Sequence, residues 1–156
     1  MVDDKEVVRR AIICGGRDFE EDDHYNIRDK LIGLLKKLDI TEEVCGCALG
    51  ADVFGCRIAM SIGFKVKYFP ADWKAKDERY KDDPIYMVRN QFGNYYNSLA
   101  GFNRNKRMSE YVKGCAICIA LPGGKGTKNM IRHAKKNNIP VYIWNDFEMD
   151  FIKDGE

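Results

Sequence analysis

No apolar run in this chain approaches the roughly 18 residues needed to cross a bilayer, and Met1 is followed by charged residues rather than an apolar signal region. A soluble, cytoplasmic protein is the expectation. Nor does one sign of charge dominate: 26 Lys and Arg stand against 24 Asp and Glu, a formal net charge of +2. No overall field therefore draws the chain onto nucleic acid or membrane, and partner choice falls to a local site. Repeats and low-complexity tracts are absent. The two histidines, His24 and His133, have no obvious partners and are given no catalytic role.

A metal-binding cysteine pattern is missing as well, although there are six cysteines. Cys115 and Cys118 sit three apart in a strand-like run, which sends their side chains to opposite faces. Cys45 and Cys47 share a face by that spacing, but no second Cys or His pair follows. Cys14 and Cys56 read as small buried apolar residues. No metal and no cofactor are expected, and six free thiols fit a reducing compartment.

At 156 residues with 45% hydrophobic composition, the chain fits one domain with a real core, spanning 1–156. Strand-like runs occur at 8–14, 43–47, 65–69, 115–121 and 140–144, and helical patterns separate most of them. That alternation predicts an α/β fold, a parallel sheet of about five strands between helical layers. Ile27, Leu31, Leu34, Leu35 and Leu38 mark the first helix, capped by Asp22 or Asp23. Phe54, Ile58, Ala59 and Ile62 mark the second, and Met130, Ile131 and Ala134 the last, which stops at Asn137-Asn138 before Pro140. From Asp72 to Leu99 the pattern breaks. This charged, tyrosine-rich stretch predicts an insertion at about 74–99, either a short helix over the site or against another subunit, or solvated decoration.

Three glycine clusters each follow a strand: Gly15-Gly16-Arg17-Asp18 after the first, Gly46 to Asp52 after the second, and Pro122-Gly123-Gly124-Lys125-Gly126-Thr127 after the fourth. In a parallel sheet all three lie on one edge. With strand order 3-2-1-4-5, the first and fourth strands are neighbours whose crossovers leave in opposite directions, and a crevice opens at their C-terminal ends. The last cluster is the most telling. Glycines there admit backbone N–H groups close to a ligand, the helix beginning near Thr127 adds unpaired donors, and Lys125 adds a mobile charge. A phosphate is the natural occupant.

The motifs CGGRDF at 14–19, LGAD at 49–52, FPADW at 69–73, RNKRM at 104–108 and LPGGKGT at 121–127 occur in one order and cover nearly the whole chain outside the insertion. In that arrangement the sequence resembles the SLOG superfamily of Rossmann-like proteins, and within it the YspA-like branch related to YpsA. The resemblance implies a Rossmann-like fold that binds nucleotides or nucleotide-derived ligands, in some members as sensors in prokaryotic conflict systems. Two departures stand out. Leu49 and Cys47 replace an arginine and a glycine usual after the second strand. The insertion also separates Asp72-Trp73 from Arg104-Asn105, leaving Arg89-Asn90 as a competing pair; Arg104-Asn105 is preferred because Ala100-Gly101 precedes it and Met108 follows.

Ligand contacts are accordingly expected from Gly15, Gly16, Arg17, Asp18, Gly50, Asp52, Arg104, Asn105, Pro122, Gly123, Gly124, Lys125, Gly126 and Thr127. Arg17 either forks onto a phosphate or pairs with Asp18 or Asp52. Asp52 either supports its helix start or accepts hydrogen bonds from a ribose or base. Trp73 stacks on a base or packs in the core. Similar PGGxGT loops occur in the Lonely Guy phosphoribohydrolases, where the resemblance implies a catalytic glutamate just after the threonine. Here those positions hold Lys128, Asn129 and Met130, so a hydrolase would need Asp18 or Asp52 instead. Binding of an ADP-ribose-like ligand by a sensor or sequestering protein, self-associating and without nucleic acid, is the leading expectation; N-glycosidic hydrolysis is the alternative.

Overall fold

The computed structural model describes residues 8–73, 87–89, 95–97 and 99–155. Its main sheet has six strands in the order β3-β2-β1-β6-β7-β8. The strands are β1 (Arg10–Cys14), β2 (Glu42–Cys45), β3 (Lys65–Tyr68), β6 (Ala116–Ala120), β7 (Val141–Asn145) and β8 (Asp150–Lys153). The first five are parallel and β8 returns antiparallel on β7. The predicted order therefore holds for five strands, and β8 extends it by one. Between β3 and the third helix, β4 (Met87–Arg89) and β5 (Tyr95–Asn97) form a separate antiparallel pair. Those are strands rather than the short helix that was one reading of this segment. The rest of the insertion, including Tyr80, Tyr86 and Phe92, lies outside the described residues.

Helices cover both faces because successive strand residues point to opposite sides. Ala11, Ile13, Ile117 and Ile119 face α1 (Ile27–Lys37) and α2 (Ala51–Ser61), where Ile27, Leu31, Leu35 and Ile58 are buried. Ile12, Cys14, Val44, Cys118 and Ala120 face α3 (Ala100–Tyr111) and α4 (Lys125–Lys136), against Met108, Met130 and Ala134. Each large side chain so buried contributes about 1.5–3 kcal/mol. β8 closes the first core with Phe151, whose ring meets Trp144 edge-on at 5.1 Å.

Three local expectations change. Asp22 and Asp23 do not cap α1: they lie in a separate 3-10 turn, and the cap is Asn26 in the left-handed conformation at φ 64°. Glu21 of that turn instead pairs with Arg28 at 2.7 Å. Cys45 and Cys47 do not share a face, because β2 ends at Cys45 and Cys47 turns away at φ 63°, exposed while Cys45 is buried. Cys56 is only partly buried, unlike Cys14. The end of α4 at Asn137-Asn138 is as expected, with Asn138 in the left-handed region.

Candidate functional site

A cleft of about 270 Å³ opens at the C-terminal edge of the sheet, where β1 and β6 are neighbours. Four segments build it: Cys14 to Arg17 after β1, Gly46 to Asp52 after β2, the first two turns of α3, and the start of α4. This is the crevice expected where crossovers diverge. Gly15, Gly16, Arg17, Asp52, Arg104, Asn105, Gly124, Gly126 and Thr127 all line it. Asp18, Pro122 and Gly123 line an adjoining groove of about 320 Å³ that shares Gly16, Arg17 and Gly124 with the cleft. Gly50 faces another groove, beside Phe54, and Lys125 is exposed on α4.

The loops are held by backbone contacts that leave no room for side chains. Gly16 donates its N–H to Pro122 O at 2.7 Å, and Ala51 donates to Gly16 O at 3.0 Å. A Cβ on Gly50, whose φ is 75°, would lie 2.4 Å from the carbonyl oxygens of both Gly16 and Arg17. One on Gly123 would lie 2.1 Å from Thr127 Oγ1 and 2.6 Å from Gly16 N. These two glycines join loops. Gly124 differs: a Cβ there would meet nothing within 4 Å, because it borders open cleft.

Gly124 is also the N-cap of α4 and supplies no capping side chain. The first-turn N–H groups of a helix have no partners within it, and together they carry about half a positive charge. Thr127, in that turn, is buried, and its Oγ1 has no hydrogen-bond partner among the described residues. The α4 start thus collects unpaired donors beside a cavity. Such a helix start favours negative charge beside it.

Across the cleft, Arg104 is only 8% exposed. Its Nη1 donates to Gly46 O, and its Nε donates to Asn105 Oδ1 at 2.9 Å. Asn105 Nδ2 in turn donates to Gly126 O at 3.2 Å and Asn129 Oδ1 at 3.1 Å. Arg104 and Asn105 therefore tie α3 to the β2 loop and to α4, besides facing the cleft. Arg89, the competing arginine, falls on β4, and its side chain lies outside the described residues.

Asp52 is the one carboxylate lining the cleft among the described residues. Its Oδ2 accepts the Ala48 N–H at 3.1 Å, which braces the loop rather than capping α2. Burial pushes its carboxyl pKa upward, and the Ala48 N–H with the Arg104 and Arg17 charges offsets only part of that. Burial also pulls the Arg104 guanidinium down from its usual value, opposed by Asp52. Arg17 is exposed and lies over the Trp73 ring at 5.1 Å from its centroid, so Trp73 forms cleft wall rather than deep core.

Sequence reasoning missed two arrangements. His24 has partners after all: its Nδ1 lies 2.6 Å from Asp146 Oδ1, and its ring stacks on Phe19 at 5.5 Å. The contact joins residues 122 positions apart, which no local pattern reveals. Met130, one of the three positions with Lys128 and Asn129 set against the phosphoribohydrolase glutamate, is buried and lines the cleft with its thioether.

No protein-family model matches the chain, and no curated protein matches it. The X-ray structure of DNA processing protein A (DprA) from Streptococcus pneumoniae is similar, with a TM-score of 0.56 and 15% identity over 87% of this chain. The fold is Rossmann-like. The chain spans 50% of the length of that structure, and at this identity the likeness concerns fold alone. Among the described residues, no helix is long and apolar enough to cross a membrane.

Proposed function

We propose that this chain is a SLOG protein of the YspA-like branch that binds a nucleotide-derived, ADP-ribose-like ligand at the sheet edge, acting as a cytoplasmic sensor or sequestering protein. The observation that carries the reading is the uncapped start of α4, where the buried Thr127 hydroxyl has no partner and Gly124 borders empty space. Charge-assisted hydrogen bonds from such donors to a phosphate are worth about 1.5–3 kcal/mol each. Arg17 supplies a cation beside the Trp73 ring, a platform for a base or ribose. The adjoining groove along Asp18, Pro122 and Gly123 continues the cleft and gives a second phosphate-bearing half somewhere to lie.

Lys125 and Gly50 enter this reading differently. Lys125 reaches a bound phosphate only as a mobile surface charge, whereas Gly50 acts by letting two loops meet. Self-association belongs to the same proposal: Tyr25 and Phe147, 76% and 91% exposed, sit beside the His24–Asp146 contact and give a partner copy an aromatic patch. Sedimentation velocity tests that part.

One observation favours a second reading. Asp52 is a cleft carboxylate whose pKa burial raises, the property of a general acid in N-glycosidic hydrolysis. Mass spectrometry of small molecules released from the purified protein, followed by incubation of AMP and ADP-ribose with fresh protein, separates the two. An intact bound nucleotide that survives incubation supports binding. Release of free base, lost in Asp52→Asn, establishes hydrolysis. DprA is named as a DNA processing protein, and strongly salt-dependent DNA affinity of this chain, with no nucleotide recovered, would overturn both readings.

A further inference from the structure

Behind the cleft, on the face of the sheet that α2 covers, β2 carries Glu43 and Cys45 two residues apart and α2 carries Cys56. One carboxylate oxygen and the two sulfurs lie within 4.8 Å of one another. Glu43 is 0% exposed, and neither of its carboxylate oxygens has a hydrogen-bond partner among the described residues. A buried carboxyl in that state costs several kcal/mol by desolvation and calls for a partner that the protein chain does not provide. Cys45 is held in place on its own side: the Cys47 N–H donates to its sulfur at 3.3 Å. The left-handed turn at Cys47 accompanies this contact.

We propose that Glu43, Cys45 and Cys56 form a binding site for a zinc-class divalent cation that pins α2 to β2. Two thiolates and one carboxylate suit a borderline-soft ion better than Mg²⁺ or Ca²⁺, which prefer oxygen alone. Tetrahedral bonds of about 2.3 Å to sulfur and about 2.0–2.2 Å to oxygen bring neighbouring ligand atoms to roughly 3.8 Å. The present spacing closes to that by side-chain rotation of about 1 Å. Cys56 is partly buried, and Tyr68 Oη lies 3.8 Å from its sulfur. Binding releases the two thiol protons and the carboxyl proton to the buffer. The site is separate from the cleft's ligand, and its fate does not depend on the function proposed above.

The test uses the full chain carrying Cys47→Ser and Cys115→Ser, which removes the two exposed thiols, after reduction and treatment with a chelator. Anaerobic titration with Co²⁺, then displacement by Zn²⁺, reads the site directly. One Co²⁺ per chain with thiolate-to-metal charge-transfer absorption, and protection of Cys45 and Cys56 from alkylation by Zn²⁺, is the expected result. Cys56→Ser and Glu43→Gln, each checked for a native circular dichroism spectrum, should weaken Zn²⁺ binding by more than the roughly 10–100-fold typical of losing an outer-shell partner. Absence of the charge-transfer band, or Zn²⁺ affinity unchanged in folded Cys56→Ser, overturns the proposal.

Discussion

Thr127→Val probes the anion site with opposite signs on stability and affinity. Valine is close to threonine in shape, so the substitution removes the hydroxyl while largely keeping the packing. Because Thr127 Oγ1 is buried and has no partner among the described residues, the free protein loses a desolvated polar group and nothing that satisfied it. Burying an unpaired hydroxyl costs about 1–3 kcal/mol, so the variant should be stabilised by up to that amount. In a domain of this size each kcal/mol moves the Tm by about 2–4 °C, which scanning calorimetry resolves. With a phosphate in place, the same hydroxyl donates a charge-assisted hydrogen bond worth about 1.5–3 kcal/mol. Isothermal titration with ADP-ribose should therefore show affinity reduced roughly 10–150-fold. A variant that is less stable than the parent, with ADP-ribose affinity unchanged, would refute the reasoning on both counts.

Gly124→Val places a side chain in the open space beside the α4 start and should abolish measurable ADP-ribose binding while the urea midpoint stays near that of the parent. Gly50→Ala should do the reverse, costing at least about 2 kcal/mol in urea unfolding, since alanine at φ 75° meets two carbonyl oxygens at 2.4 Å. Arg17→Ala, at an exposed position over Trp73, should weaken ADP-ribose binding by about 1.5 kcal/mol or somewhat more, and lose effect as salt rises. In chelator-treated protein, Glu43 keeps its proton up to about pH 9 because burial and the Asp52 charge oppose ionisation, whereas its unfolded value is 4.5. The native state then binds the extra proton, so stability is full below pH 4.5 and falls as pH rises toward 9. Glu43→Gln should remove that slope and gain on the order of 3 kcal/mol at pH 7 in denaturant titrations.

What the sequence reveals follows from what is local. Gly15-Gly16, Gly46 to Gly50 and Gly123-Gly124 announce themselves because tight loops at strand ends need small residues close together, and parallel strands bring those ends to one edge. Strand β8 is not announced: Asp150–Lys153 is short, and it is defined by pairing with β7 after a turn. The Asp22 and Asp23 cap fails because the chain inserts one more turn before α1, and Glu21 of that turn pairs with Arg28. The glycines also mix two duties that sequence cannot separate. Gly50 and Gly123 serve loop contacts, Gly124 serves open space, and only neighbouring atoms distinguish them. Glu43 with Cys56 escapes pattern reading for the same reason, since a strand-to-helix contact has no characteristic spacing.

Arg104 bears on whether the cleft binds or cleaves. A ligand phosphate near the α4 start meets a guanidinium already engaged with Gly46 O and Asn105 Oδ1, so the arginine is oriented before any ligand arrives. Such preorganisation strengthens binding equally for ground and transition states unless a second group acts only on the reacting bond. In the glycosidic chemistry implied by the phosphoribohydrolase resemblance, that second group is a carboxylate on the first turns of α4. Lys128, Asn129 and Met130 stand at the corresponding positions, and neither the Asn129 amide nor the Met130 thioether holds the negative charge that would balance a sugar-ring cation or act as a base. Asp52 stands on another element, engaged by Ala48 and beside Arg104, where its charge is partly compensated. On the binding reading its role is to hold the Ala48 loop and to place a negative charge beside Arg104. On the proposed binding reading, the unpaired donors at the α4 start and the oriented Arg104 grip the anion, and α4 itself carries no carboxylate to assist bond cleavage.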